Sequence, residues 1–167
     1  KKLKKSLQTM TPVLSIKTLP HFEGLSLPRY QTDGAAGLDL CAALPADQPV
    51  VLKPLERRLI PTGLSMAIPE GYEGQVRARS GLALKQGLAL VNAPGTIDSD
   101  YRGEVGVLVI NLGQEPITLE RGMRIAQLVI APVIQCRIEA THSLDDSTRG
   151  SGGFGSTGVT SDKDHRA

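Results

Sequence analysis

At 167 residues and 40% hydrophobic content, the chain suits one globular domain with a single core. No apolar run approaches the ~20 residues of a membrane-spanning helix, so a membrane partner is not expected. The formal charge of +2 comes from one end: Lys1, Lys2, Lys4 and Lys5 are four of 19 basic residues, and without them 15 face 17 acidic ones. The remainder is mildly acidic, which argues against a nucleic-acid-binding surface.

Residues 1–10 read as a solvated basic extension, too short and too polar for a secretory signal. Met10 reads as a natural start, with residues 1–9 added before it. Short β-type segments then follow over residues 13–18, 36–43, Val50–Leu52, 58–60, 64–68, 72–78, 88–91, Glu104–Asn111, Ile117–Leu119 and 125–133. Several alternate apolar and polar residues, as in Gln75-Val76-Arg77-Ala78 and Glu104-Val105-Gly106-Val107. Pro61, Pro69, Pro94 and Pro116, each with a glycine close by, punctuate the joints. One short helix is expected at Ser80–Gln86. Strands this numerous, without helical spacers, predict an all-β jelly-roll sandwich over residues 11–143. Residues 144–167 read as a mobile arm, because seven of the nine residues from Gly150 to Gly158 are Gly or Ser and cannot build a core.

Cys41 and Cys136 lie in apolar, strand-like surroundings and read as buried free thiols of a reducing compartment, hence a cytoplasmic protein. The three histidines, His21, His142 and His165, lack metal-ligand spacing and are assigned no chemistry.

Five stretches carry chemistry. Asp39 stands among apolar neighbours in Ala36-Gly37-Leu38-Asp39-Leu40, where a buried carboxylate needs a partner or a cation. Arg79-Ser80-Gly81 joins a strand to the short helix, where amide donors can face an anion. Gly95-Thr96-Ile97-Asp98-Ser99-Asp100-Tyr101-Arg102-Gly103 reads as a β-hairpin. Its acidic residues can be plain turn formers, or one can orient water while the tyrosine ring packs on a sugar. A ring against the sugar's C2 leaves no room for a 2′-hydroxyl. Gln127 sits within the apolar strand of Arg124-Ile125-Ala126-Gln127-Leu128. Last comes Arg149-Gly150-Ser151-Gly152-Gly153-Phe154-Gly155-Ser156-Thr157-Gly158. It has the spacing of a dinucleotide fingerprint, but no strand precedes it and no helix follows, so that reading fails. Converging backbone amides, a forked guanidinium and two hydroxyls suit phosphate instead, and a lone Phe suits stacking on a base.

In this order and spacing, over Ala36 to Gly158, these stretches resemble the five motifs of the homotrimeric dUTP pyrophosphatase (dUTPase) family. Thr96-Ile97-Asp98-Ser99-Asp100-Tyr101 and Arg149-Gly150-Ser151-Gly152-Gly153-Phe154-Gly155 are near diagnostic. Ala78 departs from the pattern, standing where the family usually has proline. The resemblance implies a β jelly roll, a C3 trimer with active sites between subunits, and hydrolysis of dUTP to dUMP and pyrophosphate. With that activity go the limiting of uracil in DNA and the supply of dUMP for dTMP synthesis.

It further implies a role for each residue. Asp39 would help hold a hydrated Mg²⁺ as an outer-shell group. Arg79, Ser80 and Gly81 would contact the α- and β-phosphates. Asn92, Gly95, Thr96, Ile97 and Gly106 would surround the uracil. Asp98 would orient the attacking water, Tyr101 would carry the sugar, and Gln127 would lie near the α-phosphate and water. Phe154 would cover uracil, with Arg149, Gly155, Ser156 and Thr157 on the γ-phosphate. A dCTP deaminase-like relative of the same fold would need a glutamate in the helix after Arg79-Ser80, and Leu82-Ala83-Leu84-Lys85-Gln86 has none. A non-catalytic jelly-roll interaction protein is opposed by Asp98, Arg149 and Phe154 standing together.

Overall fold

The computed structural model describes residues 11–156, so the expected extension over residues 1–10 and the expected phosphate contact Thr157 lie outside the described residues. The chain divides into two compact units, one ending at Ile134 and one beginning at Gln135. Among its described residues the first unit contains ten strands: β1 (Ser15–Thr18), β2 (Leu38–Cys41), β3 (Val50–Leu52), β4 (Arg57–Ala67), β5 (Tyr72–Arg77), β6 (Leu88–Leu90), β7 (Gly95–Ile97), β8 (Glu104–Asn111), β9 (Ile117–Leu119) and β10 (Arg124–Pro132). A 3₁₀ turn at Pro20–Phe22 follows β1, and helix α1 (Ser80–Gln86) follows β5. All pairings are antiparallel, in sheets of order β1-β4-β8-β6 and β2-β10-β5-β7, with β3 and β9 as a separate ribbon. This is the jelly-roll type of β fold that the strand pattern predicts.

Alternation explains the layers. Along β8 every second residue is buried, which puts Val105, Val107, Val109 and Asn111 inside. They meet Leu40, Leu52, Ile60, Leu64, Leu119, Ile125 and Leu128 in a core of aliphatic side chains. Each such burial stabilises by roughly 1.5–3 kcal/mol relative to exposure. Asn111, the polar member, is fully satisfied: its amide donates to the carbonyls of Leu52 and Glu115 at 2.9 and 2.8 Å, and its Oδ1 accepts from Gly113 N–H at 2.8 Å.

Four expectations change. The segments over residues 58–60 and 64–68 are one strand, β4, with a bulge between Pro61 and Ser65 where the pairing to β8 shifts. The stretch from Gly95 to Gly103 is not a β-hairpin, because β7 pairs with β5 while β8 pairs with β4 and β6. It links the two sheets through a turn closed by Tyr101 N–H donating to the Asp98 carbonyl at 3.2 Å. Asp39 is not inside the core: Leu38 and Leu40 point inward, so Asp39 and Cys41 take the opposite face. Finally, Cys136 is exposed and outside any strand, and only Cys41 is half-buried; both are free. Burial pushes the Cys41 thiol up, nearby Asp39 adds to the rise, and Arg124 and Arg79 oppose it.

Candidate active site

Strand pairing builds the first half of the site. Gln127 on β10 lies opposite Asp39 on β2 and opposite Arg77 on β5, so the end of β5 delivers Arg79 beside both. Arg79 Nε lies 3.2 Å from Asp39 Oδ1, and Arg124 donates to Oδ2 at 3.0 Å. Arg79 also reaches the Arg124 carbonyl at 2.9 Å. The Asp39 side chain is only 14% exposed, so two guanidiniums share one largely covered carboxylate. Gln127 donates Nε2–H to the Ala78 carbonyl at 3.1 Å, which fixes the amide where the usual proline is replaced. Gly37 makes room for it, because a Cβ there would fall 2.7 Å from Gln127 Oε1.

These side chains, with Gln31, Ser80, Gly81 and Lys85, line a cavity of about 550 Å³. Three cations face one carboxylate across it, leaving an excess that suits a polyphosphate. Ser80, Gly81 and Leu82 form the first turn of α1, whose start carries no side-chain cap, so its first amides lack partners within the helix. Arg124 was not anticipated from sequence as a member of this group. A bulge between Arg124 and Ala126 brings its guanidinium onto Asp39, and nothing local marks that bulge.

A second cavity, of about 270 Å³, is lined by Leu59, Thr96, Ile97, Asp98, Tyr101, Glu104, Val105 and Gly106. Asp98 is exposed at the end of β7. The Tyr101 ring lies over Gly103 and donates its hydroxyl to the Glu104 carbonyl at 3.0 Å. Leu59, also unanticipated, is an exposed apolar side chain that closes on Gly106, where a Cβ would meet it at 2.7 Å. Asn92 and Gly95 lie just before, with the Asn92 amide against Gly95.

The two cavities stand at opposite ends of β5. Gly95 pairs with Val76 and Ile97 with Gly74, so Asp98 continues beside Glu73 while Arg79 lies beyond Arg77. Six residues at the strand rise put them about 20 Å apart.

Within the second unit, Arg149, Phe154, Gly155 and Ser156 fall in two successive turns. Arg149 Nε donates to the Gly152 carbonyl at 2.9 Å, and Ser156 N–H to the Gly153 carbonyl at 3.0 Å. Phe154 is fully exposed and has positive φ.

No group of three or more His, Cys, Asp or Glu side chains that could hold a metal occurs among the described residues. Asp39 has both oxygens on guanidiniums, so it fits a hydrated ion through water better than a bare one. Among the same residues, no helix is long and apolar enough to cross a membrane.

A family model described as dUTPase matches residues 23–158. A protein of Rhizobium meliloti (strain 1021) named deoxyuridine 5′-triphosphate nucleotidohydrolase is 59% identical over 150 residues, covering 90% of this chain and 94% of that one. One of the same name from Beijerinckia indica is 60% identical over 147 residues, covering 88% and 92%. Among solved structures, the dUTPase of Staphylococcus bacteriophage 80alpha with dUpNHpp superposes with a TM-score of 0.79 at 30% identity, covering 89% of this chain and all of that one. A mutant dUTPase of phage phi11 of S. aureus, described as revealing the coordination of a structural Mg(II) ion, gives 0.70 at 25% identity, covering 80% and 99%.

Proposed function

The chain belongs to the dUTPase family, and on that premise we propose that it hydrolyses dUTP to dUMP and pyrophosphate at sites shared between copies of the chain. The observation behind the shared site is the separation along β5. A single sugar joins the base of dUTP to its α-phosphate, yet Asp98 and Arg79 of one chain are about 20 Å apart along β5. A nucleotide with its base beside one and its α-phosphate beside the other would have to stretch across that distance. It can bind where the Asp98 pocket of one copy meets the Arg79 cavity of the next, and a closed ring of three satisfies every site.

In this reading Thr96, Ile97 and the backbone from Gly95 to Gly106, with Asn92 behind it, enclose uracil, and Tyr101 carries the sugar. Arg79, Ser80, Gly81 and Gln127 of the neighbouring copy hold the α- and β-phosphates. Asp98 takes a proton from water as its oxygen bonds to the α-phosphorus; the bond to the bridging oxygen breaks, and pyrophosphate departs. Asp39 would hold a hydrated Mg²⁺ through water, and the ion would supply withdrawal of charge from the phosphate oxygens. The arm over residues 144–167 closes over this assembly, Phe154 on the base and Arg149, Gly155, Ser156 and Thr157 on the γ-phosphate.

Pyrophosphate release from dUTP, with dCTP and ammonia release as controls, tests the activity. Mixing variants tests the sharing. Asp98→Asn and Arg79→Ala should each be nearly inactive alone, and co-refolded at equal amounts they should regain activity in about a quarter of sites, as random assembly of a ring dictates. Sedimentation should give close to three times 17.8 kDa. A mixture as inactive as its parents, or an active monomer, would place the whole site in one chain.

A further inference from the structure

The bulge in β4 leaves Gly63 with a backbone amide that the ladder to β8 no longer serves. Opposite Pro61 and Ser65 stand Gly106 and Glu104, so four positions of β4 span two of β8. Side chains replace the lost ladder bonds. Thr62 donates its hydroxyl to the Val105 carbonyl at 2.5 Å, and Glu104 Oε1 accepts the Gly63 N–H at 2.7 Å. Gly63 itself has φ of +69° and stands against Phe22, where a Cβ would fall 2.8 Å from that of the phenylalanine.

The same Oε1 accepts Nε2–H of His21 at 2.7 Å. His21 belongs to the 3₁₀ turn, and Arg121 anchors that turn by donating to the carbonyls of His21, Glu23 and Leu44. Glu104 is thus held from two elements through its carboxylate, while its carbonyl holds the Tyr101 hydroxyl. The Tyr101 ring is 46% exposed, and this bond ties its far end to β8.

We propose that Glu104 is a positioning residue for Tyr101, and through that ring a determinant of discrimination against ribonucleotides. The inference rests on the reading of Tyr101 as the sugar platform. A 2′-hydroxyl is rejected only if the volume it would enter stays filled. A ring free to swing by about an ångström fills it poorly. Loosening the tether therefore alters the choice between substrates, not merely the rate.

The test measures kcat/KM for UTP and dUTP across a set of variants. Tyr101→Ala should raise the UTP/dUTP ratio, which checks the sugar reading by itself. Glu104→Ala should raise it by roughly threefold or more, the scale of coupling between touching residues, and should add nothing further in the Tyr101→Ala background. Glu104→Gln, which retains an acceptor for Gly63, should restore the wild-type ratio. Tyr101→Phe removes only the hydroxyl bonded to the residue-104 carbonyl and leaves the bulge intact, so it should also raise the ratio, which checks the tether apart from the Glu104 carboxylate. If Tyr101→Ala shifts the ratio but a folded Glu104→Ala does not, Glu104 is a strand fastener and the proposal is wrong, whatever Tyr101→Phe shows. An unchanged ratio in Tyr101→Ala would remove the sugar reading and this inference together.

Discussion

Asp98→Asn should leave a folded protein that binds nucleotide and turns it over at least about a hundredfold more slowly, the contribution expected of a lost general base. The geometry makes this substitution unusually clean. Asp98 is exposed at the end of β7, and the ion pairs among the described residues do not include it. Its backbone carbonyl, not its carboxylate, closes the turn with Tyr101. An amide of the same shape should therefore change stability by no more than about 0.5 kcal/mol, as at most surface sites. What the amide cannot do is accept a proton. Loss should fall on kcat, with affinity for a non-hydrolysable dUTP analogue retained. Turnover near wild type would take Asp98 out of the chemistry. A large loss of analogue binding would make it a structural part of the pocket instead.

The strands were legible because they alternate. Glu104–Asn111, Ile117–Leu119 and Val50–Leu52 occupy the expected positions, as does helix Ser80–Gln86, bounded by Arg79 and by Gly87 in a left-handed cap. Local sequence contains those signals. It does not contain the continuity of β4. Pro61 and Gly63 read as a break, yet the strand persists because Thr62 and Gly63 bond to Val105 and Glu104, about 40 residues on. The same limit explains the mistaken hairpin. Spacing alone says that residues 95–103 turn, whereas the partner of β7 depends on which sheet edge is free.

The site shows the same division. A motif identifies Asp39, Arg79, Asp98 and Gln127 one stretch at a time, but not who pairs with whom. Arg124 on Asp39 depends on a bulge, and His21 on Glu104 joins residues 83 apart. The separation along β5 is the plainest case: each motif looks complete in sequence, and only the strand register sets Asp98 and Arg79 toward opposite ends of β5.

Deleting everything after Asp146 should abolish most activity while barely moving the melting temperature. The buried core of the first unit runs from Phe22 to Leu128. From residue 147 on, the only large apolar side chains are Phe154 and Val159. Burying both would return roughly 1.5–3 kcal/mol each, far below the ordering entropy of some 20 residues at about 1–2 kcal/mol each. Phe154 is in fact fully exposed, and the hydrogen bonds of Arg149 and Ser156 close turns within their own segment. Folding stability thus has little to lose with this segment. On the proposed function activity has much to lose: Arg149 and the glycine-rich backbone would supply charge-assisted bonds to phosphate, and Phe154 would supply a stacking face worth on the order of 1–3 kcal/mol. Phe154→Trp in the full chain gives an independent readout, since its emission should change when a non-hydrolysable dUTP analogue and Mg²⁺ are added. A truncated protein that still hydrolyses dUTP at the wild-type rate, or a tryptophan indifferent to nucleotide, would reduce the segment to a plain tail.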